Sequence, residues 1–162
     1  MKTLRATARG FTLVEMVVCV AIVAVLAAAA HPMVELASRR AKETELRQAL
    51  RSLRSAIDAY KQASDEGRVA KAADASGYPP TLAALVDGVP RASATTDDSR
   101  RLYFLRRLPR DPFADASLPA AQTWAVRAYD SPPDAPRAGR DVFDVASRSQ
   151  RRALDGTRID QW

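Results

Sequence analysis

The apolar positions of this chain fall into three regimes. From Phe11 to Val34 the sequence reads FTLVEMVVCVAIVAVLAAAAHPMV, almost unbroken in its hydrophobicity. About 24 residues at a rise of ~1.5 Å reach roughly 36 Å, more than the ~30 Å hydrocarbon core of a bilayer, so the pattern predicts one membrane-spanning helix. After Pro32 the pattern turns amphipathic. Leu36, Leu46, Leu50, Leu53, Ile57 and Tyr60 make one apolar stripe at helical spacing, and Ala41, Ala49 and Ala56 favour helix and allow close packing. Glu35 with Arg39, and Glu43 with Arg47, are acid-first pairs four residues apart on the solvated face. The helix is expected to end near Lys61 or Ala63, where Ser64-Asp65-Glu66-Gly67 offers a polar stop and a glycine cap. The clear part of the stripe covers about two heptads, too few for a coiled coil, and suits packing on a sheet of the same chain.

From residue 64 onward the periodicity breaks up. Residues 64–101 are rich in Ala, Ser, Asp, Gly and Pro and read as loops, with one short helix in which Thr81 is the N-cap and Leu82, Leu85 and Val86 share a face. The run Ala92 to Arg101 is polar and is expected to be exposed and mobile. Tyr103 to Phe113 is apolar and basic, closed by Pro109 and Pro112. Gln122 to Tyr129, with Trp124, Val126 and Ala128 on one side, and Arg140 to Val145 have strand-like content. Ser131 to Gly139 would connect them, and Asp155-Gly156 marks a late turn. The expected class is α+β: one long N-terminal helix, part membrane-embedded and part amphipathic, packed on a small antiparallel sheet.

Length and composition narrow the chemistry. The 162 residues leave room for one modest domain beside a long non-globular element. The formal charge is +6, but Lys2, Arg5 and Arg9 precede Gly10, so loss of that leader would remove half of the excess. No nucleic-acid partner is therefore expected from charge. The single cysteine, Cys19, lies in the apolar stretch, which excludes an internal disulfide or thiol cluster, and reads as a small packing residue. The single histidine, His31, sits at the end of that stretch, where an interfacial place suits it better than metal ligation. With no nucleophile–base pair and no phosphate loop, no enzyme is expected. Basic residues on both sides of the apolar stretch leave its orientation open.

Two readings of the N-terminus compete. A basic start, an apolar run and Ala28-Ala29-Ala30 are the parts of a secretory signal cut after Ala30, which would release a basic binding module into the periplasm. Against that stands Glu15, since an acidic residue at the centre of a membrane helix costs roughly 2.5–3.5 kcal/mol. Thr12 and Glu15 also form the T-x-x-E pattern of a capping box, a purely local account. The order of features favours another reading, because in Arg9-Gly10-Phe11-Thr12-Leu13-Val14-Glu15 the small residue precedes the apolar run.

That arrangement resembles the class III signal of type IV pilins and type II secretion pseudopilins. The resemblance implies that a prepilin peptidase cuts between Gly10 and Phe11 and methylates the new amine of Phe11, so the apolar segment stays on the mature protein. It gives Glu15, fifth after the cut, the role of neutralising a neighbouring subunit's terminal amine during assembly. It gives Pro32, the twenty-second residue after the cut, the role of kinking or locally melting the helix; simple termination of the membrane helix is the alternative. The implied organisation is a leader over 1–10, a transmembrane and assembly helix over 11–34, an amphipathic continuation over 35–63 and a periplasmic α+β head over 64–162.

Gly77-Tyr78-Pro79, the Leu108 to Phe113 stretch, Asp141-Val142-Phe143 and Trp162 occur in an order similar to that of the major pseudopilin (G-type) of type II secretion systems. This likeness implies a structural subunit of an inner-membrane-anchored filament, whose partners are its own copies, other pseudopilins, the peptidase and the secretion platform. A type IV pilin or minor pilin for adhesion, motility or DNA uptake is the nearest alternative; the absence of a C-terminal cysteine pair favours the pseudopilin. The likeness also implies a calcium-binding loop after the Asp-Val-Phe strand, and this chain offers Asp144, Asp155 and Asp160 as ligands. Calcium takes six to eight oxygens. The intervening loop, however, carries Arg148, Arg151 and Arg152 where acidic, Gly-rich sequence is expected, so acids balanced by nearby arginines are the alternative.

Overall fold

The computed structural model describes residues 10–92 and 101–162. It comprises two compact units, residues 1–40 and 41–162. A single helix, α1 (Leu13–Asp65), enters both. In the first unit Thr12 opens it: the Met16 amide donates to the Thr12 carbonyl at 3.2 Å, and the Glu15 amide donates to Thr12 Oγ1 at 3.2 Å. Thr12 is thus an N-cap. Among the described residues the first unit buries none of its large apolar side chains; Phe11 is 70% and Leu13 80% exposed, and Leu36 is exposed as well. Leu36 was expected to start the packing stripe. The stripe instead begins at Leu46, because Leu36 belongs to the first unit and meets no core there. The apolar part of α1 is long enough to cross a membrane, and its window of highest hydropathy is unburied.

In the second unit α1 supplies Leu46, Ala49, Leu50, Leu53, Ala56, Ile57, Tyr60 and Ala63 to the core, at steps of three and one that keep them on one helical face. The helix closes at Asp65 through a Schellman-type end. Gly67 takes φ +68°, and the Arg68 amide donates to the Ala63 carbonyl at 2.8 Å. A one-turn helix, α2 (Ala84–Asp87), follows, with the Ala84 amide on Thr81 Oγ1 and with Leu82 and Leu85 buried. Gly88 ends it at φ +76°, and a Cβ there would come 2.8 Å from the Tyr103 ring, so only glycine fits.

The class is α+β, with a long N-terminal helix and small antiparallel sheets. The expected single sheet is two separate ribbons. β1 (Val89–Pro90) pairs with β2 (Arg101–Leu102), and β3 (Trp124–Arg127) pairs with β4 (Asp144–Ser147) in the register Trp124–Ser147 to Arg127–Asp144. The chain from Phe104 onward cannot extend the first ribbon. The amides of Phe104 and Leu105 both donate to the Leu85 carbonyl, and Pro109 and Pro112 have no amide to give. The second ribbon begins later than the sequence suggests: β4 starts at Asp144, while the Val142 and Phe143 amides bond to Pro79 and Arg127 carbonyls. Most of the polar run Ala92 to Arg101 lies outside the described residues.

Trp124 fills the centre of the core at 0% exposure, its indole N–H on the Pro109 carbonyl at 2.9 Å. Beside it lies a buried polar knot. Asp111 Oδ2 accepts from Ser147 Oγ at 2.5 Å, its Oδ1 accepts from the Phe113 amide at 2.8 Å, and its own amide donates to Thr123 Oγ1. Thr123 and Ser147 are buried too. The knot ties the proline-bounded stretch to β4 and to the turn before β3, which is what a buried carboxylate needs to be tolerated.

Candidate processing and assembly site

Gly10, Phe11 and Thr12 lie outside the helix, so the Gly10–Phe11 peptide is in irregular backbone one residue before the cap. Among the described residues nothing approaches within 4 Å of the place a Gly10 side chain would occupy, and Phe11 is exposed. The basic residues Lys2, Arg5 and Arg9 lie outside the described residues.

Glu15 sits in the first turn of α1, where unsatisfied amides and the helix dipole favour a negative charge. Its backbone completes one half of the capping box. The other half is absent among the described residues: the Glu15 carboxylate makes no hydrogen bond or ion pair there. It is exposed and surrounded in sequence by exposed Leu13, Val14, Met16, Val17 and Val18. A carboxylate on such a face loses solvation if the face enters lipid, and is then tolerated only when neutralised, by a proton or by a cation beside it. Cys19 is a free thiol on the same exposed helix. Position 32 falls within α1, and the side chains of His31 and Pro32 lie outside the described residues.

The three head acids are each met by arginine. Asp144 Oδ1 accepts from Arg54 Nε at 2.8 Å, with Arg127 3.6 Å from its other oxygen. Asp155 accepts from Arg47 at 2.8 Å, and from the amide and hydroxyl of Thr157. The Thr157 bonds, more than Arg47, hold the Asp155 carboxyl below the ordinary carboxylate range. Asp160 is gripped by Arg158 through both oxygens, and that pairing likewise lowers its carboxyl. Among the described residues, no group of three His, Cys, Asp or Glu side chains is placed to hold a metal ion.

Sequence reasoning missed the partners of these acids. Arg54 also donates from Nη2 to the carbonyls of Val145, at 3.0 Å, and Trp162, at 2.7 Å. Arg47 lies 4.1 Å over the Trp162 ring, and the Leu154 amide donates to Glu43 Oε1 at 2.9 Å. The available signal was the spacing of Glu43, Arg47 and Arg54, which puts all three on one edge of the helix. The Glu43–Arg47 pair had been read as a solvated one. Glu43 is in fact buried and faces the C-terminal segment.

Residues 5–30 match the family described as the prokaryotic N-terminal methylation motif. No curated protein and no solved structure matches the chain. The motif supports a type IV pilin-like protein, with processing by a prepilin peptidase and assembly with other pilin subunits. Together with the unburied apolar helix it fits a single-pass inner-membrane protein.

Proposed function

We propose that this chain is a pseudopilin, a structural subunit of the periplasmic filament of a type II protein secretion system. The observation that carries the reading is the Glu15 carboxylate, which has no hydrogen bond or ion pair among the described residues and lies four residues after Phe11, on a stretch of α1 whose apolar window is unburied. The peptidase cuts between Gly10 and Phe11 and methylates the Phe11 amine. The mature helix remains in the inner membrane with the head in the periplasm. There the ammonium on Phe11 of one subunit and the carboxylate of Glu15 of the next are each costly alone in hydrocarbon and tolerable as a pair, so docking is favoured only in the register that brings them together. Stacking then covers the apolar faces of the helices against one another. Pro32 removes one backbone bond and gives the helix a place to bend as it leaves the membrane. No chemical step on a substrate is involved.

The order of Gly77-Tyr78-Pro79, Leu108 to Phe113, Asp141-Val142-Phe143 and Trp162 supports the secretion filament over a surface pilus, as does a head without cysteine. The test is deletion in the native host. Loss of extracellular enzymes, with surface pili intact, restored by the wild-type chain but not by Glu15→Leu, is expected. Normal secretion together with lost pili, motility or DNA uptake would assign the subunit to a type IV pilus instead.

A further inference from the structure

The chain after β4 has almost no sheet to hold it. Residues 148–162 close on themselves through Ala153–Thr157 and Ile159–Arg151 backbone bonds and bury Ala153 and Ile159. Their polar attachments to the helix run along one edge of α1, from Glu43 to the Leu154 amide, from Arg47 to Asp155 and the Trp162 ring, and from Arg54 to the Trp162 carbonyl. Arg54 is the node. Its guanidinium gathers one side-chain carboxylate oxygen and two backbone oxygens, from Asp144, Val145 and Trp162, at 2.7–3.0 Å.

We infer that Arg54 is a built-in cation that locks the C-terminal segment, and that this head is steadied without divalent metal. The donor set does not fit calcium. That ion needs six to eight oxygens at ~2.3–2.6 Å converging on one point. Here Asp144 is committed to Arg54 and Arg127, Asp155 to Arg47 and Thr157, and Asp160 to Arg158. A divalent ion entering among these guanidiniums would be repelled and would have to strip each acid from its partner. A carboxylate and carbonyls are the ligands a hard cation uses, but a planar fork satisfies them with directed hydrogen bonds and a charge that cannot dissociate. The inference holds whichever filament the subunit builds.

The test uses the full-length protein in detergent micelles, with amide hydrogen exchange read over residues 144–162, in calcium chloride or in chelator. Exchange and thermal midpoint are expected to be the same in both. Arg54→Met, which keeps the length and removes the charge, is expected to speed exchange in this segment roughly ten- to a hundredfold, the equivalent of losing hydrogen bonds to a charged group, while the Leu46–Ile57 amides stay protected. Arg54→Lys should restore only part of the protection, since an ammonium cannot fork. Slower exchange or a raised midpoint in calcium for the wild-type protein would overturn the inference, and this arm needs no variant to fold. Unchanged segment exchange in a folded Arg54→Met protein would overturn it equally.

Discussion

At the scale of single residues, two side chains carry opposite kinds of necessity. In the proposed assembly Glu15 is needed for what it lacks: a carboxylate at a helix start among exposed Leu13, Val14 and Met16 has no hydrogen-bond or ion-pair partner among the described residues. Glu15→Leu is therefore expected to be cut and methylated normally yet to give few filament cross-links, which membrane fractionation and cross-linking would read; wild-type levels of cross-linking would remove Glu15 from assembly. Gly10→Asp, whose charge and bulk precede the scissile bond, should accumulate as uncut precursor on a gel. Asp111 is needed for what it has. Asp111→Ala would leave Ser147 and the Phe113 amide without their buried acceptor, at an expected cost of about 2–3 kcal/mol in chemical denaturation. Gly10, Phe11 and Glu15 stand out as candidates in the sequence because a charge inside an apolar run, and a small residue before it, are visible without a fold. Asp111 was legible only as one letter of a proline-bounded stretch, since its partners Thr123 and Ser147 lie 12 and 36 residues away.

Among the elements, α1 behaves as the periodicity predicts within the second unit and reaches Asp65, past the expected stop near Lys61 or Ala63. Leu53 lies fully buried on its stripe, so Leu53→Ala should cost about 2–5 kcal/mol of head stability, measured by thermal or denaturant unfolding. Strand existence was readable from Trp124, Val126 and Val145, but strand bounds were not. Each depends on where amides such as those of Phe104, Leu105 and Val142 find carbonyls, and those partners come from distant turns. The C-terminal segment, with its paired acids, brings a pH dependence. Asp155 and Asp160 titrate below their ordinary value of 3.8 in the folded chain, so protons bind the unfolded form first. Their contribution is fully present above that value and is lost as the pH falls through the lowered folded values. Exchange over 148–162 should thus be flat from neutral pH down to about pH 5, after correction for intrinsic rates, and accelerate only below about pH 4.

For the molecule as a whole, the two units divide the physics. Residues 41–162 have a core of Trp124, Leu46, Leu53, Leu85 and Ile159, while the described side chains of residues 10–40 contribute none to it and expose an apolar helical stretch. In the proposed reading such a helix is covered by lipid first and by neighbouring subunits second, and the motif over residues 5–30 supports that reading. All of this depends on the helix remaining attached after processing. The direct measurement is the intact mass and N-terminal sequence of the protein recovered from its host's membranes. A chain beginning at Phe11, heavier by one methyl group, is the predicted result; a chain beginning at His31 would mean that the helix is a discarded secretory signal, and would contradict the account at its centre.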